Sequence, residues 1–153
     1  MSTVKPKHML NKQLDALLED ETNRVANLSN ASALLFEQLS EINWAGFYLW
    51  EDSENELVLG PFQGKVACVR IENGSGVCGT AFKEQKTYLV KDVHEFPGHI
   101  ACDAASESEI VVPLTKDGIQ IGVLDIDAPI KNRFTEEDQE IIEEFASVLL
   151  KHL

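Results

Sequence analysis

The chain has 153 residues, 44% of them apolar, which suits one domain with a real core and is too short for two well-formed ones. Thirteen basic against twenty-six acidic residues leave a formal net charge of −13, a surface that a nucleic-acid duplex or an anionic membrane repels. Met1–Asn11 is polar and no apolar run approaches bilayer length, so the expectation is a cytoplasmic single domain over residues 1–153.

Leucines and a valine at helical spacing predict helix over residues 9–40, broken near Glu21–Asn27. Ile42–Trp50 is a continuous apolar and aromatic run, the pattern of a buried strand. The acidic turn Glu51–Asn55 leads to a return strand at Glu56–Leu59, and Val66–Ile71 reads as another strand. A glycine-rich loop, Asn73–Gly79, precedes a short helix expected over Thr80–Lys86 and a short strand at Thr87–Val90. Asp92–Glu107 is a long loop holding Pro97, Gly98, His94, His99 and Cys102, and long ordered loops tend to be functional. Glu109–Leu114 and Ile119–Ile126 form a hairpin around Asp117-Gly118. Thr135, with Asp138 at capping-box spacing, starts a final helix whose buried face is Ile141, Ile142, Phe145, Val148 and Leu149. Short connections favour antiparallel pairing. The expected fold is α+β, a largely antiparallel sheet with the N- and C-terminal helices on one face and the middle segments on the other.

Four groups of residues could carry chemistry. Cysteines are scarce as structural bridges in the cytoplasm, so Cys68, Cys78 and Cys102 are either small buried hydrophobes or redox thiols, and Cys102, in a loop, escapes the core reading best. His94, His99, Cys102 and Cys78 also admit zinc, but they lack the close paired spacing of zinc ligands. Asp125 and Asp127 alternate onto one strand face, and Glu109 in the partner strand is placed to meet them. Like charges side by side raise at least one pKa, a cost accepted at a site for a cation or proton, or at a solvated strand end. Trp44, Gly46, Tyr48 and Trp50 share a face that is either core or an apolar pocket wall with Gly46 leaving space. Gly74, Gly76 and Gly79 offer backbone amides ahead of a helix, a possible anion site without the Gly-Lys-Ser/Thr of a P-loop.

The segments Asn43–Tyr48, Gly60–Cys68, Gly74–Ala81 and Gly98–Ile110 together resemble the free methionine-(R)-sulfoxide reductases, which are GAF-domain enzymes. Gly122–Pro129 and the Phe134/Asp138 pair extend the likeness over about residues 30–150. The resemblance implies a GAF fold and roles residue by residue. Cys102 is the nucleophile, Cys68 the usual resolving thiol, and Cys78 a third thiol able to join disulfide exchange. Glu109, Asp125 and Asp127 bind substrate and polarise its sulfoxide, and Trp44 and Tyr48 wall its methyl end. It also implies no metal or organic cofactor, free methionine sulfoxide as substrate, and an external dithiol such as thioredoxin as reductant. A homodimer is plausible from the long first helix.

The chemistry needs a nucleophile, an acid and a second thiol, and all three residue types are present. Asp103, Glu107 and Glu109 lie close to Cys102 in sequence, and no Lys or Arg occurs between Lys91 and Lys116. Anions suppress a thiolate. The expectation is that the substrate ammonium neutralises the carboxylates, and that one protonated carboxyl serves the sulfoxide oxygen. The competing readings are a metabolite-sensing GAF module with inert cysteines and a thiol switch that oxidises without turning over substrate.

Overall fold

In a computed structural model, described over residues 5–100 and 104–153, the chain folds around one six-stranded sheet. The elements are α1 (Met9–Leu17), α2 (Arg24–Gln38), β1 (Trp44–Glu51), β2 (Glu56–Gly64), β3 (Arg70–Glu72), α3 (Gly76–Glu84), β4 (Tyr88–Val90), β5 (Ser108–Lys116), β6 (Ile119–Ala128) and α4 (Glu136–Lys151). The strand order is β3-β2-β1-β6-β5-β4, and every pairing is antiparallel. No helix among the described residues is long and apolar enough to cross a membrane.

The alternation of each strand divides the core in two. Ala45, Phe47, Ile110, Val112, Leu124 and Ile126 meet Leu14 of α1, Leu28 and Leu35 of α2, and Phe145 and Leu149 of α4 on one face. Trp44, Tyr48, Val111 and Val123 meet Val77, Cys78, Ala81 and Phe82 of α3 on the other. Burial of these side chains, each worth about 1.5–3 kcal/mol, is what holds the short helices in place. The expected α+β layering therefore stands, with the terminal helices together on one face.

The signals read most cleanly from sequence are matched by their geometry. The long first helix is broken as expected, though at residues 18–23 and so a few residues before Glu21–Asn27, and the Asn23 side chain caps α2 by accepting from the Ala26 amide. Asp117 and Gly118 take positive φ values of 52° and 79°, as a two-residue hairpin turn requires. Thr135 and Asp138 form the reciprocal capping box of α4. Gly122 sits where β6 passes closest to β1, and a Cβ there would lie 2.0 Å from the Tyr48 carbonyl oxygen.

Besides shifts of a residue or two, three strand and helix boundaries differ more widely. β2 runs on to Gly64, past the expected end at Leu59, because the register shifts between Gly46 and Tyr48. That irregularity accommodates Pro61, which has no amide to give to a regular ladder. Val66–Val69 is not strand, and Cys68 lies outside any strand; only Arg70–Glu72 pairs with β2. Two carbonyls of the stretch Lys65–Val69 are taken by side chains, the Trp44 indole donating to Lys65 O and the Tyr48 hydroxyl to Cys68 O, while Val69 O accepts from the Leu59 amide. Finally, α3 starts at Gly76 rather than Thr80, since Val77 and Cys78 are buried and packing overrides the weak helix propensity of Gly-Val-Cys-Gly.

Candidate functional site

The second face of the sheet carries a cleft of about 520 Å³, counting its open mouth. Its floor is Glu109 from β5 with Asp125 and Asp127 from β6. Glu109 and Asp127 are direct cross-strand partners, and Asp125 is one same-face step further along β6. Trp44 and Tyr48 of β1 form a wall, their rings stacked with centroids 5.8 Å apart. Cys78 and the first turn of α3 close another side, and Ala67, His99 and Ile100 line the mouth.

The floor is acidic and almost dry. Glu109 is 6% exposed and Asp125 5%. Burial pushes the Glu109 carboxyl well above its usual range, and the charges of Asp125 and Asp127 push it further. Burial also raises Asp125, while hydrogen bonds from Glu109, Cys78 and Asp127 work against that rise. The physical content is that these side chains cannot all ionise together, and the push toward the protonated form is stronger on Glu109 than on Asp125. Asp125 Oδ1 has no hydrogen-bond partner among the described residues, so it stands as an acceptor for an incoming N–H donor.

Cys78 is a buried free thiol whose Sγ lies 4.0 Å from Glu109 Oε2. Burial raises its pKa strongly, and Asp125 and Glu109 add to the effect. It is therefore a neutral thiol in this cleft and not a ready nucleophile. Cys68 is disulfide-bonded and half-buried, on the segment between β2 and β3. Cys102, the expected nucleophile, lies outside the described residues.

Several other expectations are refined here. Gly46 does not leave room beside the aromatic wall. A Cβ on it would meet Phe62 Cβ at 2.3 Å, and the Phe62 ring stacks on Trp44 at 5.1 Å. The glycine loop spends much of its backbone on itself: the Gly74 amide donates to Gly79 O, that of Ser75 to Glu72 O and that of Gly79 to Ser75 O. Any anion contact is thus confined to the first turn of α3, which lines the cleft through Gly76, Val77 and Cys78. Among the described residues, the atoms of metal-ligand type that converge are those of Cys78, Glu109 and Asp125, within 4.8 Å of one another. This is not the histidine-rich set weighed from sequence.

Sequence reasoning gave His99 no role beyond metal ligation, yet it lines the cleft and feels the charge of Asp125. Burial, then the charge of His94, lowers its pKa, so it is neutral near pH 7. Ala67, which lines the cleft, and Phe62, which backs the Trp44 ring, were also missed. A side-chain-pinned segment brings in Ala67 and a bulge sets Phe62 behind Trp44, and neither leaves a periodic signal.

The match to known proteins covers nearly the whole chain. A GAF-domain family model matches residues 25–149. Protein YtsP of Bacillus subtilis is 58% identical over 95% of this chain and 89% of its own length. The Escherichia coli free methionine-R-sulfoxide reductase is 56% identical over 94% of this chain and 86% of its own length. The X-ray structure of free methionine-R-sulfoxide reductase from Neisseria meningitidis in complex with its substrate superposes with a TM-score of 0.90. It is 47% identical, over 94% of this chain and 85% of that one. The chain belongs to the free methionine-R-sulfoxide reductases, a family of oxidoreductases built on the GAF domain.

Proposed function

We propose that this protein reduces free methionine-(R)-sulfoxide to methionine by thiol chemistry. The observation that carries the reading is the dry acidic floor: a carboxyl held protonated, Glu109, beside an acceptor without a partner, Asp125 Oδ1, under an aromatic wall. Such a floor suits a substrate with a positive end and an oxygen to be protonated.

The substrate ammonium is held by Asp125 and Asp127, and the first-turn amides of α3 face its carboxylate. Trp44 and Tyr48 pack against the methyl end. Glu109 donates its proton to the sulfoxide oxygen, which makes the sulfur electrophilic. The thiolate of Cys102, the nucleophile by family resemblance, attacks that sulfur. The protonated oxygen migrates from the methionine sulfur to the Cys102 sulfur, the transient sulfur–sulfur bond breaks with its electron pair going to methionine, and Cys102 is left as a sulfenic acid. The Cys68 thiol condenses with it, releasing water and leaving a disulfide, and Cys78 is a second source of thiol for exchange. A dithiol such as thioredoxin then supplies two electrons and two protons to restart the cycle. No metal or organic cofactor enters these steps.

The acidic floor also explains why the substrate is a free amino acid. A methionine inside a polypeptide brings no ammonium, so binding it strands buried carboxylates at a cost of about 3–5 kcal/mol. Binding of the ammonium also relieves the anionic field that opposes a thiolate on Cys102. The test is turnover with dithiothreitol on free and peptide-bound sulfoxide of both epimers. Methionine from the free R epimer alone supports the reading. Equal rates on peptide, or no methionine from any substrate, would sink it, the latter leaving a sensing module or a thiol switch.

A further inference from the structure

We propose that Lys65–Arg70 is the docking surface for a protein dithiol, a small reductase whose Cys-x-x-Cys thiol sits in an apolar collar with an acidic rim. The inference rests on the thiol reading above and names where its reductant binds.

The segment is built to be presented. Its backbone carbonyls are tied inward at Lys65 by the Trp44 indole, at Cys68 by the Tyr48 hydroxyl and at Val69 by the Leu59 amide. With those carbonyls tied in and Ala67 facing the cleft, the flanking valines face solvent: Val66 is 88% exposed and Val69 58%. Single exposed apolar residues need no explanation. Here two of them bracket Cys68, which is disulfide-bonded and half-buried, and so within reach of an attacking sulfur. Charge sets the segment apart as well. Gly64–Arg70 carries Lys65 and Arg70 and no acidic residue, in a chain with twice as many acidic as basic side chains. Both cations are exposed, and Arg70 is ion-paired with Glu56 and also feels Glu51 and Glu54, so the charge that reaches a partner comes chiefly from Lys65. A basic, apolar-flanked disulfide on an otherwise anionic protein selects a partner of opposite rim charge and steers its approach.

The exchange balances within these groups. The partner's thiolate attacks Cys68 Sγ, the protein disulfide breaks, and the departing sulfur leaves as a thiolate. The partner's second thiol then attacks the mixed disulfide and releases Cys68. Two electrons and two protons pass from the dithiol to the protein.

The test uses the full-length oxidised protein without any sulfoxide, so its outcome does not depend on the enzyme reading. Reduction of the disulfide is followed with a bacterial thioredoxin and, separately, with dithiothreitol. Val66→Glu/Val69→Glu and Lys65→Glu/Arg70→Glu are compared with wild type. The expected result is a fall of about tenfold or more in the thioredoxin rate constant. The dithiothreitol rate should stay within about twofold, because a small reductant needs no collar. Thioredoxin rates unchanged in both variants, or equal losses with both reductants, overturn the proposal. Failure of the sulfoxide assay with an intact thioredoxin effect would instead remove the enzyme and leave the docking surface.

Discussion

Replacing Glu109 by glutamine separates the catalytic role of the floor from its cost to the fold. The donor atoms of Cys78, Glu109 and Asp125 lie within 4.8 Å of one another. Two unit charges at such a distance repel by about 3 kcal/mol at an effective dielectric near 20. Burial opposes ionisation of Glu109 further, so its proton is retained in the folded protein. An acid whose folded pKa lies above its unfolded value contributes stability at low pH, and that contribution is lost as pH rises through the folded value. For wild type, stability should therefore fall as pH climbs above about 4.5, the ordinary Glu value. Glu109→Gln keeps the shape, cannot ionise and should flatten that part of the stability curve. It also cannot protonate the sulfoxide, so kcat should fall by about 10²–10⁴ while KM changes little. The assays are methionine formation under saturating dithiothreitol and thermal unfolding across pH. Retention of kcat within about threefold would refute Glu109 as the acid, and an unchanged stability profile would refute the buried repulsion.

Other perturbations follow from the same structure. Asp125→Asn removes the acceptor at Oδ1's charge and should raise KM for free sulfoxide about tenfold to a hundredfold, measured by initial rates, with a smaller change in kcat. Glu144 is held down to about 2 although burial works against this, because Asn11, the His8 side chain and the Lys7 and His8 amides all bond its carboxylate. Its stabilisation is present above the ordinary value near 4.5 and lost as pH falls through about 2, so Glu144→Gln should cost about 1–2 kcal/mol in denaturant titrations at neutral pH and progressively less as pH falls from 4.5 toward 2. Gly122→Ala must push its Cβ off the Tyr48 carbonyl, and urea unfolding should show a loss of about 3 kcal/mol or more.

Where sequence periodicity and the fold obey the same local rule, the reading carried through. The Thr135 capping box, the Asp117-Gly118 turn and the paired faces of β5 and β6 each depend on neighbours within a few residues. The acidic floor was legible for the same reason, since two-residue alternation and one hairpin register place Glu109, Asp125 and Asp127 together. What escaped depends on contacts distant in sequence. The extension of β2 past Leu59 follows from a register shift against β1 that leaves no mark in alternation. Val66–Val69 has the composition of a strand, yet the Tyr48 hydroxyl takes the Cys68 carbonyl and the Trp44 indole that of Lys65 just before it, and only Val69 O meets a backbone amide of β2, that of Leu59. Gly46 looked like space because its neighbour across the sheet, Phe62, is sixteen residues away and reaches it only through that same shift. Cys78 could be placed near a helix but not against Glu109, because nothing local reports which way a first-turn side chain faces.

The most direct measurement is a single turnover without reductant. Fully reduced protein, with its three cysteines as thiols, is mixed with excess free methionine-(R)-sulfoxide, and methionine and residual thiols are counted. The account predicts one methionine per chain with two thiols consumed, and none from Cys102→Ser. Methionine released by Cys102→Ser, or by wild type with its thiol count unchanged, would contradict it.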